Sequence, residues 1–220
     1  FLLITLFSCK THKPVRLVVL LVGDQMSPDH LHRFEKIYTG GCKWLLENST
    51  VYDSANLQHE YKVTGPGHFS IGSGMYPGPG GVLGNEYFDR ELNKVVNCVE
   101  DPSARSVGGR GTARSIVRYK NKGIGDLIKD ADPEAKVYSV GGKDRSAIFL
   151  AGQNPNLVLY YNKYDRFISS TFYTDSLPEW INLYNENLNL QTYKDSVWDK
   201  ILPDSLYLKY SRKDYFYGEV

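Results

Sequence analysis

One hydroxyl in this sequence stands where a nucleophile could act. Thr64 opens the run Val63-Thr64-Gly65-Pro66-Gly67-His68, a tight turn leading into what reads as a short helix. The glycines let main chain approach a bound anion, Pro66 sets φ for the first helical turn, and the N–H groups behind Thr64 would face a phosphate. A Thr hydroxyl is weak at neutral pH, so a metal ion or a base must stand beside it. Asp24 follows the first apolar run, at what would be a strand's carboxyl end, where ligands and metals collect in open α/β sheets. A helix cap or turn former is the plainer reading of an Asp there.

Three more residues could hold a phosphate. Lys143 and Arg145 are two apart, so in an extended segment both leave on one face while Asp144 leaves on the other. Two fixed cations can neutralise the non-bridging oxygens of a phosphate monoester dianion, although a charged surface turn has the same composition. Asn85, after Gly84, could donate an amide N–H without adding charge, and Asn after Gly is also ordinary turn chemistry. His68 reads as a helix residue that supports the loop or a metal ligand, not as a base.

The elements that must position these groups alternate. Residues 15–22 form a β-branched, nearly continuous apolar run, the pattern of a strand buried on both faces, followed by a Pro28-initiated helix that stops at Gly40-Gly41. A second strand is expected over 51–57. After the Thr64 turn, residues 87–90 and 94–99 read as a hairpin joined through 91–93. Residues 101–122, rich in Gly, Ser and Arg, read as a solvated loop in preference to a phosphate-steering patch. A short helix over 123–130, a strand over 136–140, a turn and helix start over 143–151, and a strand over 157–161 come next. A hairpin strand over 166–173 and a helix from Leu177 with Ile181 and Tyr184 on its apolar side complete the order. The fold expected is α/β, a doubly wound and mostly parallel sheet flanked by helices, incomplete and with hairpin insertions.

At 220 residues, 41% hydrophobic and 23% charged, the chain has ordinary globular composition. Its formal net charge of +1 supplies no global field for nucleic acid or an anionic membrane, so anion recognition must be local. The start is apolar up to Leu6-Phe7-Ser8-Cys9, like a signal-peptide remnant ending in a lipoprotein box. On that reading residues 1–9 are the remnant, 10–14 a tether, and Cys9 a lipid anchor for an exported protein of the periplasm or cell surface; a clipped buried strand is the alternative. Three cysteines fit no zinc module, and a pairing of Cys42 with Cys98 stays open.

Taken in order, Gly23-Asp24-Gln25-Met26, Thr64-Gly65-Pro66-Gly67-His68, Gly84-Asn85-Glu86-Tyr87-Phe88-Asp89-Arg90 and Lys143-Asp144-Arg145-Ser146-Ala147-Ile148 resemble the alkaline phosphatase superfamily. The resemblance is closest to the PafA-like bacterial alkaline phosphatases within the type I phosphodiesterase and nucleotide pyrophosphatase group. It implies that residues 15–220 are the N-terminal portion of an alkaline-phosphatase-like catalytic domain acting on phosphate monoesters, with two Zn²⁺ ions. Asp24 would ligate one zinc. Thr64 would be the metal-bound nucleophile of a phosphothreonine intermediate, and Asn85, Lys143 and Arg145 would contact the phosphoryl oxygens. The family completes its metal site with downstream Asp and His residues, and no His follows His68 here. The expectation is therefore a piece truncated at both ends that by itself binds zinc weakly and does not turn over. Sulfatase chemistry is disfavoured, since it needs Cys or Ser at position 64. The alternatives are a phosphodiesterase or nucleotide pyrophosphatase, disfavoured by Lys143 and Arg145, and a non-catalytic surface lipoprotein that binds phosphorylated ligands.

Overall fold

The computed structural model of the chain describes residues 15–119, 121–164, 166–188, 193, 196–197 and 199–210. The expected leader and tether therefore lie outside the described residues. Two compact units divide at Val51 and Tyr52.

The first unit holds α1 (Pro28–Phe34), a 3-10 turn (Glu35–Ile37) and α2 (Gly41–Asn48). Ser27 caps α1, its Oγ accepting the Asp29 N–H at 3.2 Å. Two expectations fail here. Residues 15–22 form no strand, because a strand buried on both faces needs a ladder partner and no described sheet includes them; Leu17 and Leu21 stand 78% and 83% exposed. Gly40-Gly41 is not simply a stop, since Gly40 is the N-cap of α2, which begins at once.

The second unit is built on a four-stranded sheet in the order β3 (Ser106–Val107), β6 (Phe167–Ser170), β5 (Leu157–Tyr161), β4 (Tyr138–Gly141). β4 and β5 run parallel, with Tyr138 opposite Leu157, and the two remaining pairs are antiparallel. Strand β5 is buried on both faces, as its unbroken apolar sequence requires. Val158 and Tyr160 enter one core with Phe69, Ile148 and Phe149, from α3 (Thr64–Ser73) and α5 (Asp144–Ala151). Leu157 and Leu159 enter a second core with Leu177 and Ile181, the latter on α6 (Glu179–Asn187). Helices thus cover both faces, and among the described residues α4 (Ile124–Ala131) and α7 (Asp204–Tyr210) are further helices of this unit.

The antiparallel hairpin β1 (Glu86–Asp89) and β2 (Lys94–Asn97) forms in the expected place. The strand expected over 51–57 does not. Its Asp and Ser side chains bond locally instead, Ser54 Oγ to Asp53 Oδ1 at 3.2 Å and Asn56 Nδ2 to the Ser54 carbonyl at 3.0 Å, and the chain turns. The 101–122 segment is also not a merely solvated loop. It contributes β3, and its Arg114 and Arg118 are only 18% and 15% exposed, paired with Asp144 and Asp89. Cys42 is an exposed free thiol and Cys98 a buried one.

Candidate active site

Thr64 is the first residue of α3, held by an extended Val63 at the N-cap, with Gly65 through Phe69 buried behind it. The helix starts there because Pro66 tolerates the first turn, and it ends at Gly74, whose φ of +69° only glycine adopts readily. Gly65 is needed for close approach: a Cβ there would meet Cys98 Sγ at 3.1 Å and Asn85 Oδ1 at 3.2 Å. Buried His68 donates from Nδ1 to the Thr64 carbonyl at 2.8 Å, since the carbonyl can only accept. It braces the turn, in keeping with a supporting role.

Asn85 sits at the foot of the β1–β2 hairpin, whose base closes through Cys98 N–H donating to the Asn85 carbonyl at 2.9 Å. The Gly65 N–H donates to its Oδ1 at 2.8 Å. That bond fixes the amide's orientation and leaves Nδ2 as the donor available to an anion. Lys143 is the N-cap of α5, and its Nζ lies 3.5 Å from Thr64 Oγ1, across 79 positions of sequence. An ammonium there favours the ionised hydroxyl and can contact a phosphoryl oxygen.

The extended reading of 143–145 needs correction. Only Lys143 is extended, because α5 begins at Asp144 and takes Arg145 into its first turn. Asp144 is therefore not thrown to an opposite face. Its Oδ1 lies 3.5 Å from Arg145 Nη1 and its Oδ2 lies 3.2 Å from Arg114 Nε. Asp144 and Arg114 are the site neighbours that sequence reasoning passed over; an Asp directly before an Arg at a helix start was the available signal. Arg114, Lys143, Asp144 and Arg145 line a cleft of about 450 Å³ at the carboxyl ends of the parallel strands, and Thr64 and Asn85 are not among its lining residues. Cys98 lies under the Thr64 turn, and burial pushes its thiol up to about 12, with the Arg145 charge pulling the other way. It is a neutral packing group.

Asp24 belongs to the first unit and is exposed in a turn closed by Met26 N–H donating to the Gly23 carbonyl at 3.3 Å, with Gln25 at φ +60°. A zinc ion takes about four donors. Among the described residues no group of three His, Cys, Asp or Glu side chains could hold a metal ion. These residues do not by themselves fit the two-zinc centre.

A mixed α/β sheet with a hydroxyl at a helix mouth and cations at the strand ends is the architecture of the alkaline-phosphatase-like proteins. The chain belongs to the type I phosphodiesterase / nucleotide pyrophosphatase family, whose model matches residues 18–207. It is 33% identical over 205 residues to alkaline phosphatase PafA of Elizabethkingia meningoseptica, covering 89% of this chain and 37% of that protein. It is 34% identical over 198 residues to alkaline phosphatase PhoV of Synechococcus elongatus, covering 87% and 36%. The crystal structure of wild-type PafA superposes with a TM-score of 0.81 at 31% identity, over 88% of this chain and 38% of that one. A PafA variant with one Thr, one Asn, one Lys and one Arg replaced gives 0.83 at 29% identity, over 88% and 39%. The chain thus spans less than two fifths of the length of these relatives. No described helix is long and apolar enough to cross a membrane.

Proposed function

We propose that this chain carries the nucleophile and phosphoryl contacts of a phosphomonoester hydrolase, an alkaline phosphatase working through phosphothreonine at Thr64. The observation that carries this reading is the approach of Lys143 Nζ to Thr64 Oγ1, 3.5 Å, beside an Asn85 amide oriented by Gly65. The alkaline phosphatases among its relatives support it, as does the match between the four residue types replaced in the PafA variant and those at this site.

In the first step Thr64 Oγ1 bonds to phosphorus as the bond to the leaving oxygen breaks. The hydroxyl proton passes to water, and the leaving oxygen takes one from water. Lys143, Arg145 and Asn85 Nδ2 bind the three non-bridging oxygens, on which negative charge is concentrated. In the second step a water oxygen displaces Oγ1, which regains a proton, and inorganic phosphate leaves. Dependence on two Zn²⁺ ions, for which the described residues alone do not suffice, belongs to the same proposal, as does export with a lipid anchor at Cys9.

The test compares p-nitrophenyl phosphate with its methyl diester in the full-length protein before and after the joint substitution of Lys143 and Arg145 by Ala. Monoester kcat/KM should fall by roughly 10²-fold or more while the diester changes little, since the loss of fixed charge stabilisation is felt most by the dianion. An unchanged ratio would place these side chains on a surface turn.

A further inference from the structure

Asp144 lies between two guanidinium groups, 3.2 Å from Arg114 Nε and 3.5 Å from Arg145 Nη1, and all three side chains are about one-fifth exposed. The carboxylate is held independently of both. Its Oδ1 accepts the Arg145 main-chain N–H at 2.8 Å, and it occupies the first turn of the eight-residue α5, where the helix dipole favours negative charge. Arg114 is fixed in turn to the sheet. Its N–H donates to Tyr160 Oη at 3.2 Å and its carbonyl accepts from Ser170 Oγ at 2.8 Å, which ties it to β5 and β6.

Arg145 is held on one side only. Nη1 faces Asp144, whereas Nε is buried with no protein acceptor among the described residues. A buried donor left unmatched is costly unless something binds it. Nε and Nη2 form the edge of a guanidinium that suits a two-point contact with a phosphate. The charges also count. Arg114, Lys143, Arg145 and Lys163 are cations and Asp144 an anion in the lining of the cleft, an excess of positive charge that favours a phosphate monoester dianion over a diester monoanion. Without the carboxylate the Arg114 and Arg145 guanidinium groups would repel.

We infer that Asp144, anchored by Arg114, is a positioning residue: it aims the Nε edge of Arg145 at the phosphoryl group and thereby sets the preference for dianionic monoesters. The inference rests on the phosphoryl-contact reading of Arg145.

The experiment is a double-mutant cycle in the full-length protein with Asp144→Asn, Arg145→Ala and both together, read as kcat/KM on p-nitrophenyl phosphate and its methyl diester. Asn keeps the acceptor for the Arg145 N–H, so the helix start survives. D144N alone should cost roughly 10- to 100-fold on the monoester, the usual reach of a residue that orients a functional group, and under about twofold on the diester. In the R145A background D144N should have no further effect. Arg114→Gln should give a smaller, equally Arg145-dependent loss, and it carries the test if D144N does not fold. Additive effects, equal loss on both substrates, or an unaltered D144N would overturn the inference and leave the phosphatase reading standing. An R145A variant that keeps its monoester preference would overturn both.

Discussion

Asn85 carries an acceptor and a donor on one planar amide, and the proposed function gives each a separate job. Oδ1 is committed to the Gly65 N–H at 2.8 Å, and on the proposed reading Nδ2 would donate to a bound phosphoryl group. Asp at this position would keep the acceptor but replace the donor with a negative oxygen beside an anion. Monoester kcat/KM should therefore fall in the order wild type, Asn85→Ala, Asn85→Asp, with roughly 10² to 10³-fold lost at the first step, the cost of removing one preorganised donor. An N85D variant as active as N85A would mean that Nδ2 does not face the reacting phosphate. That Lys143 meets Thr64 and Asn85 meets the Thr64 turn agrees with the grouping that residue type and local motif suggested in the sequence, while the roles of Thr64, Asn85, Lys143 and Arg145 belong to the proposal. Asp144 and Arg114 were not legible there. Their roles depend on where α5 starts, and a reading of 143–145 as extended sends the carboxylate away from the partners it meets.

The turn that carries Thr64 is placed by the packing of α3 on α5, and at Gly72 main chain of the two helices is in close approach. A Cβ on Gly72 would overlap the carbonyl oxygen of Phe149, main chain that cannot swing aside. Gly72→Ala should cost about 1–3 kcal/mol, the range for overfilling a packed contact, and show it as a lower urea midpoint with an unchanged m-value. Tolerance of the methyl would mean that α3 and α5 are not rigidly docked. Strand β5 was readable residue for residue, since Leu157 to Tyr161 are apolar without a break and the sheet buries both faces. The same pattern over 15–22 misled, because apolar continuity reports a capacity for burial and a strand also needs a hydrogen-bonding neighbour. Helix α2 was missed for a related reason: a Gly pair read as a terminator was also the entry to the next helix.

The fold as a whole holds titratable groups in its main core, and that links global stability to pH. Burial raises the Cys98 thiol from its ordinary 9.0 to about 12 and the Tyr160 phenol from 10.0 to about 12. Both sit in the cluster that joins α3, α5 and β5. Near neutral pH each is protonated whether the chain is folded or not, so neither makes stability depend on pH there. At higher pH the unfolded chain releases the thiol proton first and the folded chain retains it. The folded state then binds more protons, and unfolding free energy must fall as pH rises. The decline should set in between about pH 8 and 9, approach about 1.4 kcal/mol per pH unit for one group, and steepen once Tyr119, Tyr160 and Tyr173 ionise in the unfolded chain. Urea unfolding at half-unit steps from pH 8 to 11 measures it. Cys98→Ala should lessen the early decline around pH 9 and spare the steeper part above, which belongs to the core tyrosines Tyr119, Tyr160 and Tyr173. A midpoint that does not move over this range, or a C98A variant with the same early decline, would show that the thiol does not titrate inside the cooperative core that positions Thr64.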